Sequence, residues 1–99
     1  MSVIVPNINV YENESGLKLL AEIPGVSKEG LKVNVENEKL VVFGETETLI
    51  PEQKVEFKRE FKLSPRIDTE KIAAKLENGL LEINLPIAES AKPRTINIA

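Results

Sequence analysis

The side chains of this sequence that could do chemistry are carboxylates, lysines and hydroxyls, because its 99 residues include no histidine and no cysteine. Without histidine, the usual acid–base group near neutral pH and the commonest metal ligand are missing. Without cysteine, no disulfide and no thiolate chemistry is available. The five serines therefore have no histidine to activate them, and we expect each of them to occupy a turn or a cap.

Two glutamate pairs have a spacing that could let them act together. Glu12 with Glu14, and Glu45 with Glu47, are separated by one residue, which in a strand places both carboxylates on the same face. Such a pair could provide an acid and a base, or oxygen ligands for a metal. Solvated surface charge explains the same spacing more simply, so we predict no enzyme activity, no catalytic residue, no metal and no cofactor.

The charge balance also argues against a nucleic-acid partner. Thirteen basic and sixteen acidic residues give a net charge of −3, and the densest basic stretch, 54–62, is interleaved with glutamates. Phe57 and Phe61 could stack on bases. However, they share the inward-facing period of one predicted strand, which favours a place in the core.

Residues 1–6 are too short and uncharged to form a secretory signal. No apolar run approaches the roughly 20 residues that a membrane-spanning helix needs. We therefore expect no membrane partner and a cytoplasmic location, with which the absence of cysteine agrees.

Alternation of apolar and polar residues is the dominant pattern along the chain, as in Leu81, Ile83 and Leu85 against Glu82 and Asn84. This period is typical of strands with one buried face. It predicts about seven strands, at 7–12, 16–23, 31–36, 39–44, 54–63, 72–77 and 80–85. Short strands separated by turns predict an all-β fold, an antiparallel sandwich of two sheets.

Turn residues separate these runs. Ser15-Gly16 and Pro24-Gly25 mark strand ends, and Asn78-Gly79 is the strongest hairpin signal, because both central residues of a type I′ turn need a positive φ. Ser27 could cap one short helical turn over residues 27–30.

Four segments carry a resemblance to a known family. They are Ala21-Glu22-Ile23-Pro24-Gly25-Val26, Leu40-Val41-Val42-Phe43-Gly44-Glu45, Phe57-Lys58-Arg59-Glu60-Phe61-Lys62-Leu63, and the run from Ala74 through Asn78-Gly79 to Pro86. Together they resemble the α-crystallin domain of small heat-shock proteins. The resemblance implies an immunoglobulin-like antiparallel β-sandwich at 6–86, preceded by a vestigial arm at 1–5 and followed by a tail at 87–99.

The tail segment Ile96-Asn97-Ile98 resembles the C-terminal I-x-I motif of that family. The resemblance implies that both isoleucines dock in a groove between two strands, on the same chain or on a neighbour. The residues of this groove would be Leu31, Val33 and Val35 on one strand and Ile72, Ala74 and Leu76 on the other. In the alternative interpretation Ile96 and Ile98 complete the chain's own core, although Pro86 and Pro93 favour a detached segment.

The function implied by the resemblance is that of an ATP-independent holding chaperone. Its partners would be unfolded or partly unfolded client proteins and further copies of the chain, in a dimer or a larger oligomer. The alternative is an interaction adaptor built on the related CS-domain sandwich, which lacks both the hairpin and the tail motif.

Two modes of dimerisation remain open from the sequence. The loop 46–54 is about half the length of the family's strand-swapping loop, and its Leu49 and Ile50 could be a remnant of the swapped strand. Alternatively, the resemblance to the animal branch of the family implies that the strands at 55–63 pair edge to edge, with Phe57 and Arg59 at the interface. An ordinary cross-strand contact would explain Arg59 equally well.

Overall fold

Eight strands form two four-stranded sheets in the computed structural model, which describes residues 2–89 and 96–98. The strands are β1 (Ser2–Ile4), β2 (Ile8–Asn13), β3 (Gly16–Glu22), β4 (Val26–Glu36), β5 (Lys39–Thr46), β6 (Val55–Lys62), β7 (Ala73–Glu77) and β8 (Leu80–Pro86). Short 3₁₀ helices at Pro51–Gln53 and Thr69–Lys71 lie in the connections before β6 and β7.

The first sheet has the strand order β1-β6-β5-β4 and the second has the order β2-β3-β8-β7. The pairings are antiparallel except that of β1 with β6, which is parallel. The predicted all-β antiparallel sandwich is confirmed. β4 and β7 are both edge strands.

The core between the sheets is mainly aliphatic. Its largest fully buried side chains come from both sheets and from the connection after β3: Ile23, Leu40, Leu81, Ile83 and Leu85. In β8 the buried residues alternate with exposed or half-buried ones, as the sequence pattern predicts for a strand with one face on the core.

Two tight turns fix the register of the strands beside the site. Asn78 and Gly79 have φ values of 49° and 78°, which confirms the predicted type I′ hairpin between β7 and β8. Asn37 and Glu38 have φ values of 49° and 64° and join β4 to β5 by another two-residue turn.

The predicted helical turn at residues 27–30 is wrong, since these residues belong to β4. The pairing of β4 with β5 is irregular between Val26 and Leu31. A Cβ on Gly30 would lie 2.5 Å from the Glu45 carbonyl oxygen, so only glycine allows this approach of the neighbouring backbone. Ser27 does not cap a helix, and its hydroxyl instead donates to Glu47 Oε1 at 2.9 Å.

The alternation pattern predicts no strand within residues 1–5, whereas Ser2–Ile4 forms β1 and pairs with Val55–Phe57. The chain then passes the buried Pro6 and continues as β2 in the other sheet. One short stretch therefore supplies an edge strand to each sheet.

Candidate functional site

A groove runs between the edge strands β4 and β7. The backbone N–H of Ile23 donates to the carbonyl oxygen of Gly79 at 2.8 Å, which holds the β7–β8 turn beside the start of β4. The end of β7 therefore lies near the beginning of β4, and the two edge strands run in opposite directions along the groove.

The inward-facing side chains of β4 form one wall of this groove. Val33 pairs with Val42 and Val35 pairs with Leu40, and both partners are buried. Because cross-strand partners share a sheet face, Leu31, Val33 and Val35 also face inward. Leu31 and Val33 are half-buried, whereas Val35 is 42% exposed.

The other wall is formed by β7 and the residue before it. Ala74 pairs with Ile83 and Leu76 pairs with Leu81, so both face the core side. Leu76 is half-buried and Ala74 is exposed, although a closed sandwich would bury both. Ile72, half-buried, precedes β7 by one residue.

The sandwich is thus open along this side. A cleft of about 560 Å³ lies at the β7 end of the groove, lined by Lys28, Leu31, Ala74, Lys75, Leu76 and Glu77. The small side chain of Ala74 contributes to the space. Three of the six residues predicted for the groove line this cleft, namely Leu31, Ala74 and Leu76, whereas Val33, Val35 and Ile72 lie outside its lining.

The turns also determine which backbone groups are free along the groove. Glu77 and Leu80 flank a two-residue turn and form its hydrogen-bonded pair. Because hydrogen-bonded and non-hydrogen-bonded pairs alternate, the N–H and C=O groups of Ala74 and Leu76 point away from β8, toward the free edge.

Glu36 and Lys39 form the corresponding hydrogen-bonded pair beside the turn between β4 and β5. The backbone groups of Val33 and Val35 therefore point to the free edge of β4. Each wall offers apolar side chains and free backbone groups from the same residues. Such an edge can accept an extended segment as an additional strand.

The charged residues that line the cleft end of the groove are Lys28, Lys75 and Glu77. Lys75 Nζ lies 3.3 Å from Glu77 Oε2 in an exposed ion pair, which contributes little to stability. Lys28 forms no salt bridge within the part of the chain that the structure describes. Its charge acts on the neighbouring Glu29, where it favours the ionised carboxylate.

Ile96 and Ile98 of the tail are 78% and 96% exposed. They lie outside any strand and pack against no buried residue of the core cluster. The alternative in which they complete the chain's own core is not what this structure contains. Docking of the tail in a groove remains a prediction.

The candidate dimer residues lie in different environments. Leu49 is fully exposed and Ile50 is about half exposed, whereas Phe57 is buried in the core. Arg59 is half-buried, and its guanidinium carbon lies 5.1 Å from the ring centroid of Phe61, a cation–π geometry. Their role in a dimer remains a prediction.

The loop that carries Leu49 and Ile50 closes on its own chain. Its base is joined by the Val55 N–H donating to Thr46 Oγ1 at 2.9 Å, and its 3₁₀ turn by the Gln53 N–H donating to the Ile50 carbonyl oxygen at 2.9 Å. Both contacts hold the loop beside the strands that it connects.

A second cleft, of about 580 Å³, lies beside the irregular part of β4 and was not predicted from the sequence. Its charged lining residues are Glu29, Glu45, Glu47 and Lys54. Glu45 pairs with Lys54 at 3.5 Å and Glu47 accepts the Ser27 hydroxyl, so the two carboxylates have separate partners. Across residues 2–89 and 96–98, no cluster of three or more possible ligands is placed to hold a metal ion.

The pKa of Glu29 is lowered from its ordinary value. A backbone hydrogen bond has the largest lowering effect, followed by the hydrogen bond from the Ser27 hydroxyl. Desolvation opposes them, and the nearby charge of Lys28 has the smallest lowering effect. Hydrogen bonds to a carboxylate favour its charged form.

Nowhere in the part of the chain covered by the structure is there a helix with the length and apolar character needed to cross a bilayer.

Comparison with known proteins places the chain among heat-shock proteins. Residues 9–99 match the family described as "Hsp20/alpha crystallin family". The chain is 29% identical to the probable 15 kDa heat shock protein of Leptospira interrogans, over 97% of the chain and 78% of that protein. It is 36% identical to the 22.0 kDa heat shock protein of Arabidopsis thaliana, over 89% of the chain but only 52% of that protein.

The fold agrees with these similarities. A small heat-shock protein from Xylella fastidiosa, described as having a distinct high order structure, matches with a TM-score of 0.77. The two chains are 25% identical, and the match covers 97% of each.

Proposed function

Because the chain belongs to the Hsp20/alpha crystallin family, whose small heat-shock proteins are ATP-independent chaperones and not enzymes, we propose that it holds unfolding client proteins. We further propose that it assembles with its own copies through Ile96 and Ile98. The groove between β4 and β7 is the site for both interactions.

The main support for this proposal is that some inward-facing side chains of the groove are exposed to solvent. Val35 and Ala74 occupy inward-facing positions and still contact solvent. An unfolding protein exposes apolar side chains and unpaired backbone groups, and the groove offers both kinds of partner. Backbone hydrogen bonds do not depend on the client's sequence, which suits a site that accepts many clients.

The tail is the second occupant that we propose. Ile96 and Ile98 are two residues apart, so in an extended segment their side chains point the same way. Their exposure in the single chain supports docking on a neighbouring copy. When each copy donates a tail and accepts another, the contact is head-to-tail and can build rings or larger assemblies.

For the dimer contact we propose the free edge of β6. β1 covers only Val55–Phe57, which leaves the β6 edge beyond Phe57 available for pairing. Arg59 lies in this stretch. The hydrogen bonds that close the loop 46–54 on its own chain favour this mode over a swapped strand. In this mode Leu49 and Ile50 would contribute only to the periphery of the dimer interface.

We also propose that the protein acts in the cytoplasm. A chain without cysteine needs no oxidising compartment for its folding. Fractionation of the source cells with an antibody to the chain tests this location directly.

Light scattering from a heat-aggregating client tests the holding activity. We expect the chain to suppress aggregation at stoichiometric amounts without ATP. Val35→Glu should reduce suppression, because it places a charge in the groove. Asn34→Glu, on the outer face of the same strand, is the matched control and should leave it intact.

Equal suppression by both variants would argue against the groove as the client site. No suppression by the unmodified chain would argue against holding activity. Capture of one defined partner by that inactive chain would instead favour the adaptor function of a CS domain.

A further inference from the structure

The strand β5 contains the longest run of consecutive apolar residues in the sequence, residues 40–43. The run consists of leucine, two valines and phenylalanine, and valine and phenylalanine favour strands. Lys39 lies before the run and Glu45 lies just beyond it, so the segment 39–45 has no net charge. A short neutral segment of high β propensity without proline is typical of the core of a cross-β fibre.

In the folded chain β5 is protected from pairing with other chains. β4 and β6 pair with its two edges, so its backbone groups are occupied. Leu40 and Val42 are buried in the core, and Val41 and Phe43 are half-buried on the outer face of the sheet. Because both faces of β5 are apolar, the segment can pair with other chains once β4 and β6 have separated from it.

The charges at the ends of β5 are poorly matched to those of β6. In the native pairing Lys39 lies opposite Lys62, and Glu45 lies opposite Glu56. Like charges directly opposite each other in a sheet are destabilising. An antiparallel pair of β5 segments would instead bring Lys39 of each copy opposite Glu45 of the other.

Neighbours outside this pair of strands offset the repulsion in the folded chain. Lys39 also lies opposite Glu36 of β4, and Lys54 Nζ lies 3.5 Å from Glu45 Oε2. Both contacts depend on the native positions of the neighbouring segments. When the chain unfolds, Lys39 and Glu45 are therefore available to another copy.

We propose that unfolded copies of this chain join into cross-β fibres through the segment 39–45, with neighbouring copies antiparallel and Val42 opposite Val42 of the next copy. In this register Lys39 lies opposite Glu45 at both ends of the segment, and the aromatic ring of Phe43 lies opposite a valine. Pairs of both kinds stabilise a sheet. A parallel in-register stack would instead place Lys39 on Lys39 and Glu45 on Glu45.

The two residues on each side of the segment are compatible with this register. Glu38 comes opposite Thr46, and Glu47 comes opposite Asn37, so no two like charges face each other there. Neither holding activity nor docking of the tail is required for this self-pairing.

Heating the full chain above its unfolding midpoint, at neutral pH and low salt, tests the segment. We expect fibres that raise thioflavin T fluorescence and have a protease-resistant core, identified by mass spectrometry, that includes residues 39–45. Val41→Lys places a charge within the apolar run and should lengthen the lag time by about 10-fold or more. Leu20→Lys, at a half-buried outward-facing position of β3, makes the same change in charge and should leave the lag time nearly unchanged.

Because the chain is already unfolded at this temperature, the effects of the two substitutions on native stability do not enter the comparison. A resistant core that excludes residues 39–45 would overturn the proposal. Equal delays in the Val41→Lys and Leu20→Lys variants, or a heated chain that forms no fibres, would overturn it as well.

Exchange of the two end charges tests the antiparallel register. Glu45→Lys changes the net charge of the chain from −3 to −1, which by itself favours association. In the proposed register it places two positive side chains opposite each other at each end, so the lag time should lengthen by about 3- to 10-fold at low salt. Lys39→Glu together with Glu45→Lys brings opposite charges together again and should restore the original lag time.

A parallel stack gives a different result, because both variants then keep like charges together. A Glu45→Lys variant that forms fibres as fast as the unmodified chain, or faster, would overturn the proposed register. Failure of the double variant to recover the original lag time would do the same.

Discussion

Ser27 and Glu29 show how single polar groups stabilise the irregular part of β4. The Ser27 hydroxyl has one proton, which donates to Glu47 Oε1 at 2.9 Å or turns to Glu29. The backbone N–H of Glu29 is the stronger partner of that carboxylate. Both contacts favour the ionised form, so the pKa of Glu29 is lower in the folded chain than in the unfolded one.

Ser27→Ala should raise the pKa of Glu29 toward its ordinary value, but only in part, because the backbone hydrogen bond remains. A folded pKa below the unfolded one stabilises the fold above the unfolded pKa, and this contribution is lost as the pH falls through the folded value. An NMR titration of the Glu29 carboxyl carbon measures the change. Ser64→Ala, remote in sequence and exposed, is the control. An ordinary pKa for Glu29 in the unmodified chain would contradict this explanation.

Leu80 and Leu81 give a matched pair for testing the core. Leu81 is fully buried, whereas Leu80 is 44% exposed. Leu81→Ala should lower the free energy of unfolding by about 3 kcal/mol, since it removes buried methyl groups and leaves a cavity. Leu80→Ala should cost well under half as much. Denaturant titrations of both variants measure the difference, and similar losses would mean that β8 does not face the core as described.

At the level of the strands, Ala73 and Ala74 lie on opposite faces of the edge strand β7. Substitutions at these two positions therefore distinguish the groove from the outer surface of the strand. Ala74 pairs with the buried Ile83, while Ala73 pairs with the exposed Asn84. Both alanines are themselves exposed. A larger side chain at either position therefore extends into solvent and does not clash with the core.

Ala74→Leu should fill the groove and weaken binding of a peptide of residues 92–98 by about 10-fold or more, with little change in stability. Ala73→Leu should leave this binding unchanged. Fluorescence polarisation of the labelled peptide measures the affinities, with thermal unfolding as the check on stability. If Ala73→Leu is the variant that weakens binding, the tail lies on the outer face and the groove is not its site.

Strand positions were largely predictable because alternation depends on local sequence. Leu81, Ile83 and Leu85 face the core as the pattern predicts, and Asn78-Gly79 forms the predicted hairpin. β1 was missed because its parallel partner lies about 50 residues away in sequence. Residues 27–30 were misread because the approach of Glu45 to Gly30 is a tertiary contact, which a capping pattern does not contain.

The candidate site was predictable in part. Alternation and the resemblance predicted which side chains of β4 and β7 face inward, since side-chain direction follows from the period of a strand. The opening itself depends on the separation of β4 from β7, which no local pattern encodes. The cleft beside Glu29 was missed for a similar reason, because it forms where β4 is irregular and the loop after β5 folds back.

As a molecule, the chain combines a small core with free sheet edges. A domain of this length buries only about 60–65% of its unfolded surface and is modestly stable alone. The edges of β4 and β7, and the part of β6 beyond Phe57 that β1 does not cover, are able to pair with other chains. Assembly that covers these edges therefore both protects the chain from aggregation and adds to its stability by mass action.

The proposed docking of the tail would cover such an edge on a neighbouring copy, which makes the tail the place to test assembly. Ile96→Ala with Ile98→Ala should lower the mean molar mass measured by light scattering, because the docking side chains are lost. The melting temperature should then depend less on protein concentration, since fewer subunit contacts are coupled to folding. Asn97→Ala, whose side chain points away from both isoleucines in an extended segment, is the control and should keep both properties. An unchanged mass in the double variant would mean that the free edges, and not the tail, hold the copies together.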